Sequence, residues 1–266
     1  MKNKKVLLYY LLELLLTISI FITIIILVFK FTILDKKYLI NVLNKNNYYH
    51  EVYNDINNDF GNYIMQSGFD NSITKDLFNE DDLKKVIHKN VENYYKGKNI
   101  KIDTTLLKEK LDNNISDYLK KININITDED ALNRFKEEIV NIYINKIIIH
   151  KEIIKTSSIF YKINSILNIL LVSLIIFNII LFVIIKIIFK KIALSIPILT
   201  SCSILLIIYI YLNNNININY ILIWNNYLSN VIKYIFKDIL NIIKYIFIIG
   251  FILDFIKLII KNVKLM

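Results

Sequence analysis

Glycine and proline are scarce, four and one in 266 residues. Both punctuate turns, so their scarcity argues against a loop-rich β fold and leaves long periodic segments that read as helices. One cysteine, Cys202, excludes an intramolecular disulfide and a cysteine-based metal cluster. The three histidines, His50, His88 and His150, fall on separate predicted helices and make no H-x-x-x-H or H-E-x-x-H pair. Each reads as a helix-surface or boundary residue; His50-Glu51 and His150 with Glu152 have no spacing that would join them into a metal site. A G-x-S-x-G elbow and a glycine-rich phosphate loop are also missing. We therefore expect no enzyme, no cofactor and no metal.

What is present is apolar. Hydrophobic residues make up 55% of the chain and charged residues 21%, too greasy for an ordinary soluble domain and too charged to be membrane throughout. An all-α integral membrane protein with one helical-bundle domain outside the bilayer fits both numbers. The Ile-Asn alternation at 122–126 belongs to a chain-wide excess of Ile, Asn and Lys and is not read as a strand.

The first apolar run covers residues 6–29, about 36 Å of helix against a hydrocarbon core of about 30 Å. It is longer than a signal-peptide core and is followed by KFTILDKKY with no small-residue cleavage pattern, so we expect an uncleaved anchor. Three further spans are expected at 163–189, 192–212 and 239–260. Only Lys190 and Lys191 separate the second and third, which must form an antiparallel hairpin. Residues 213–238 hold Trp224, several tyrosines, Lys233, Lys237 and Asp238, and suit an interfacial helix or an extension of the fourth span.

Charge sets the orientation. Residues 31–157 carry 19 basic and 20 acidic side chains, whereas the rest of the chain carries 14 and 3. Lys2, Lys4 and Lys5, then Lys190 and Lys191, then Lys261 and Lys264 fall on one side of a four-span topology, and the positive-inside rule makes that side the cytoplasm. The expected order is a tip and first span at 1–30, an extracytoplasmic domain at 31–157, and spans two to four at 158–266. Both ends would be cytoplasmic in a multi-pass protein of the cell membrane. The net charge of +10 is then a topology signal, and no nucleic-acid partner is expected.

Inside the outer segment, Tyr49, Tyr53, Ile56, Phe60 and Tyr63 recur at spacings of 4, 3, 4 and 3, one face of a helix that Gly68 closes. That seam reads as core and not as a ligand box. Tyr48 and His50 fall beside it, near solvent, as candidate partner contacts. A second helix starts at Asn79 with Asp82 three residues on and stops at Gly97. A third starts near Asp103 and Thr104, with Leu107, Leu111, Ile115 and Tyr118 at helical spacing. The fourth opens on a capping box, Thr127 to Asp130, carries Leu132, Phe135, Ile139 and Ile142, and is expected to run on toward the second span as a stalk.

The order of an anchor helix, Leu-Asp-Lys-Lys-Tyr at 34–38, Tyr48-Tyr49 with Tyr53, Ser67-Gly68, YYKGK at 94–98, Asp103-Thr104-Thr105 and three clustered spans resembles uncharacterised multi-pass membrane proteins of low-GC Gram-positive bacteria. The resemblance implies this topology, and it brings no activity with it.

Ionisable residues within the spans carry more information, because a charge at mid-bilayer costs about 2.5–3.5 kcal/mol even on lenient scales. Glu13 lies in the first span, Lys186 in the second, and Asp254 and Lys257 in the fourth. We expect Glu13 and Asp254 to face the bundle and pair with Lys186 or Lys257; for the two lysines, snorkelling to the headgroups competes. Ser195, Pro197, Thr200, Ser201, Cys202 and Ser203 crowd small and hydroxyl residues into the third span, a pattern of close packing and also of substrate paths. Two functions follow. In the first, the outer domain binds a protein or cell-envelope partner as a scaffold, alongside the lipid bilayer. In the second, Glu13, Asp254 and the third span serve transport or permeation.

Overall fold

A computed structural model describes residues 2–124, 128–147, 156–189, 195–221 and 226–263, without the side chains of 2, 3, 195, 254 and 257–263. Every regular element among them is helical: α1 (Lys2–Phe31), α2 (Lys36–Lys45), α3 (Tyr48–Ser67), α4 (Glu80–Tyr95), α5 (Thr105–Ile122), α6 (Glu129–Ile147), α7 (Ser157–Phe189), α8 (Ser195–Asn215) and α9 (Asn226–Val263), with 3-10 turns at Asn71–Thr74 and Ile218–Tyr220. The expected all-α class holds. The chain forms two compact units, one from Met1–Leu39 with Ile163–Met266 and one from Ile40–Lys162.

The first unit contains α1, α8, α9 and most of α7. Three of the described helices are long and apolar enough to cross a membrane, over Lys4–Phe31, Ser157–Phe189 and Ile196–Asn215. Large apolar side chains cover the outward faces of α1 and α7, among them Leu7, Leu14, Ile166, Ile169, Ile179 and Ile187, each more than half exposed. Such faces are stable in lipid and not in water. The expected fourth span lies inside α9, whose 38 residues also include Lys233, Lys237, Asp238 and Lys244. Residues 226–238 are thus helical and continuous with 239–260; Trp224, Lys190 and Lys191 lie outside the described residues.

Helix approach in this unit depends on small and polar residues. Leu16 of α1 packs with Leu181 and Ile185 of α7, bordered by Tyr9, Leu12, Ile20 and Phe189. Thr17, Thr23 and Thr32 each donate to the carbonyl four residues back, at 2.8, 2.7 and 2.6 Å, which satisfies a hydroxyl without water. Ser201 Oγ of α8 lies 2.9 Å from Thr17 O and 2.7 Å from Pro197 O, one hydroxyl proton shared between two carbonyls. Where α8 meets α9, a Cβ built on Gly250 would stand 2.6 Å from Cys202 Sγ. The small residues of α8 therefore permit close packing against α1 and α9.

In the second unit α3 is the hub, packed against α4, α6 and the 3-10 turn at 71–74. Its buried stripe is Tyr48, Tyr49, Val52, Ile56, Phe60 and Ile64. Recurrence every four residues turns the stripe by about 40° per step, so it drifts around the helix and reaches several neighbours. Tyr53 and Tyr63, expected in the seam, sit half-buried on its edges, where Tyr53 meets Phe78 and Tyr63 stacks on Phe135. From α6 come Phe135, Ile139, Val140, Tyr143 and Ile147, with the expected Leu132 and Ile142 only half-buried. Lys146 of α6 bonds both Asp55 and Asp59 of α3, at 2.7 and 2.8 Å.

Local signals set the helix ends. Gly68 closes α3 at φ 78° and Gly97 follows α4 at φ 66°, the left-handed region in which a side chain is strained. Asn79 Oδ1 accepts from the Asp82 amide at 2.8 Å, and three acidic residues occupy the first turn of α4. The side chain holding the entry to α5 is Asp103, which accepts from Thr105 N and Oγ1, while Thr104 makes no capping bond. Asp128 Oδ1 accepts from the Ala131 amide at 2.8 Å at the start of α6; Thr127 and the stalk residues 148–155 lie outside the described residues.

Candidate functional site

The second unit contains an open cleft of about 460 Å³, walled by α4 on one side and the start of α5 on the other. α4 packs on α3, and α5 packs on α6 and the 3-10 turn at 71–74, so the two helices do not pack along each other. Leu77, Phe78, Leu107 and Tyr143 form the floor. Phe78 and Tyr143 meet edge to face at 5.1 Å, an arrangement favoured by the ring quadrupoles. On α4 the i, i+3, i+4, i+7 set of Asp82, Lys85, Val86 and Lys89 turns one face to the cleft; on the α5 side stand Asp103, Leu106 and Glu109.

The charges on the two walls differ. Lys85 lies 3.7 Å from Asp82 on its own helix. Lys89 and Glu109 form no ion pair among the described residues. Asp103 is held below the usual carboxylate range by its hydrogen bonds from Thr105, side chain first and backbone second, with the Lys89 charge of the facing wall adding to them. Tyr143 is 4% exposed, and burial, with Asp82 adding to it, pushes its phenol up to about 12. Among the described residues its hydroxyl has no hydrogen-bond partner. The hydroxyl is not among the sealed, unsatisfied polar atoms of the described residues, so it is reached from the open cleft. Leu106, 58% exposed on the rim, is a large apolar side chain with nothing over it.

The expected contact pair separates. Tyr48 is 1% exposed and fully inside the core, a correction to its expected place near solvent: the stripe drifts far enough to include it. His50 is exposed, with Nδ1 3.1 Å from Glu80 Oε2 and Nε2 3.0 Å from the Asn54 amide, so the first turn of α3 is tied to the start of α4. His88 lies on α4 with Nε2 2.8 Å from Tyr49 Oη. Burial, then the Lys84 ammonium, lowers His88 below its usual value. His150 and Glu152 lie outside the described residues.

The expected intramembrane pairs are not assembled among the described side chains. Glu13 is 7% exposed, and its partner there is the Tyr9 hydroxyl, which donates to Oε1 at 3.4 Å. Lys186 is exposed on α7 and makes no ion pair with Glu13. The side chains of Asp254 and Lys257 lie outside the described residues. One turn and a half along α1 from Glu13, Ser19 Oγ is buried without a partner; Asn178 Nδ2 donates to Thr23 Oγ1 at 3.1 Å while its own oxygen is left unpaired. No group of three metal-ligating side chains is found among the described residues.

Sequence spacing missed the cleft. Lys85 and Lys89 look like an ordinary solvated helix face, and only the gap between α4 and α5 makes them a wall. An unpartnered hydroxyl cannot be read from sequence at all. Compared with protein families, curated proteins and solved structures, the chain finds no match.

Proposed function

We propose that this chain is a multi-pass protein of the cell membrane whose helical unit binds a protein or envelope partner, a scaffold and not an enzyme. In this reading α9 supplies a fourth crossing over 239–260, residues 31–157 lie outside, and the lysine-rich flanks lie in the cytoplasm, as the charge asymmetry supports. The observation that carries the binding role is the open cleft of the second unit, with its exposed Leu106 and its unpartnered Tyr143 hydroxyl. In the first unit, by contrast, the hydroxyls of Thr17, Thr23, Thr32 and Ser201 are taken up by helix carbonyls.

Crosslinking in native membranes tests this reading. A photoreactive residue at position 106 captures a specific partner that co-purifies with the chain, and a version lacking residues 36–150 retains none. Failure to capture any partner from positions 106 and 50 alike removes the scaffold role. One observation favours the transport alternative: buried Glu13 shares α1 with the unpartnered Ser19 hydroxyl, on the approach to α7. Neutralising Glu13 and Asp254 together abolishes a transport role and leaves partner capture intact.

A further inference from the structure

We infer that the α4–α5 cleft binds a short peptide with free termini, its carboxylate toward Lys85 and Lys89 and its ammonium toward Asp103 and Glu109. The inference rests on the binding role proposed for the helical unit and names the ligand chemistry of one site in it.

Size is the first argument. About 460 Å³ falls within the range of pockets that enclose small ligands and is too small for a folded domain. The floor is apolar, from Leu77, Phe78, Leu107 and the Tyr143 ring, and Val86 and Leu106 extend it up the two walls. An occupant must therefore offer an apolar side chain.

The second argument is polarity at opposite edges. The α4 wall carries Asp82, Lys85 and Lys89 and is net positive, with Lys85 3.7 Å from Asp82. The α5 side carries Asp103, on which the Lys89 charge already acts, and Glu109, which has no ion-pair partner among the described residues, and is negative. A polyanion is repelled by the α5 side and a cationic ligand by α4. A fatty acyl chain leaves both walls unused. A zwitterion uses both, and opposed charges fix which way round it lies.

Third, the Tyr143 hydroxyl is an unused hydrogen-bonding group on a side chain 4% exposed that lines the cleft. It is open to the cleft, and a peptide carbonyl is an acceptor that an occupant can offer it. The phenol, pushed up to about 12, keeps its proton and donates.

The test is calorimetric titration of the full chain in detergent with the tripeptide Ala-Leu-Ala, its N-acetylated form and its C-amidated form. Free Ala-Leu-Ala binds saturably, and each blocked form binds about tenfold more weakly, the loss of one charge-assisted contact. Tyr143→Phe keeps the ring and weakens the free peptide by a similar factor. Glu109→Gln weakens the free and amidated peptides but not the acetylated one; Lys89→Gln weakens the free and acetylated peptides but not the amidated one. That cross-pattern assigns each terminus to its wall. Both side chains are exposed, so neither substitution threatens the fold. Absence of saturable binding by the wild-type chain overturns the proposal, as does binding indifferent to Tyr143→Phe and Glu109→Gln. If position 106 captures a partner protein while no tripeptide binds, the scaffold role stands and the peptide site falls.

Discussion

Gly250 and Cys202 show how one missing Cβ lets two helices meet. An alanine at 250 places its methyl 2.6 Å from Cys202 Sγ and 3.4 Å from Cys202 Cβ. Gly250→Ala therefore costs about 1–3 kcal/mol through overpacking, seen as a lower unfolding temperature in detergent. Adding Cys202→Ala removes the sulfur and recovers most of that loss; no recovery places the defect elsewhere. A different single-residue effect governs His88. The Tyr49 hydroxyl lies 2.8 Å from His88 Nε2, a hydrogen bond whose direction follows the imidazole tautomer. Burial and then the Lys84 ammonium oppose the cation, so His88 titrates below its usual 6.5. The sign follows from linkage. As pH falls below about 6.5 the unfolded chain takes up the proton before the folded one, so this contribution to stability is intact above that value and declines below it. NMR titration is expected to give His88 a pKa under 6.5, and Lys84→Gln, which removes the second of the two causes, raises it while burial keeps it under 6.5. A value above 6.5 in the unaltered chain contradicts the assignment.

Helices were legible from their ends and their periods. Asn79 with Asp82, Asp128 within Thr127–Asp130, Gly68 and Gly97 mark boundaries through bonds or dihedrals that depend on a few adjacent residues. The seam of α3 is legible at Tyr49, Ile56 and Phe60, but Tyr53 and Tyr63 stand on its edges and Tyr48 inside it, because a stripe repeating every four residues drifts where a 4-3 alternation stays straight. The gap between α4 and α5 is a tertiary fact with no local signal, and for that reason the cleft was not anticipated. Gly97 joins the two levels. It stands in the left-handed region at the end of α4, and a Cβ there would lie 3.0 Å from Tyr161 Cβ at the start of α7. Around it, Phe160 touches both Tyr94 and Tyr95 at about 5 Å, and the Tyr94 hydroxyl lies 3.1 Å from Thr156 Oγ1. Gly97→Ala adds backbone strain to a clash and is expected to cost about 1–3 kcal/mol. Limited proteolysis reads this out as faster cleavage between α4 and α5. Unchanged cleavage means the junction yields without loss.

At the scale of the molecule, span count and orientation decide where the cleft faces. Three of the described helices are apolar enough to cross a bilayer, and α9 contains the fourth candidate beside a charged first half. The lysines at both ends of that candidate explain why composition alone leaves its crossing open: Lys233, Lys237 and Lys244 precede or enter it, and Lys257, Lys261 and Lys264 close it. With Lys2, Lys4 and Lys5 inside, three crossings put residue 264 outside the cell, and four return it to the cytoplasm. Single cysteines separate these outcomes in a Cys202→Ser background. Positions 58 and 120, both exposed in the helical unit, are expected to react with a membrane-impermeant maleimide in intact cells. Positions 3 and 264 are expected to react only after permeabilisation. Labelling of 264 in intact cells establishes three crossings and leaves α9 along the membrane, where its alternation of lysine and aromatic residues can lie at the headgroups. Labelling of 3 but not of 58 or 120 inverts the protein, and the cleft then faces cytoplasmic peptides instead of those of the cell envelope.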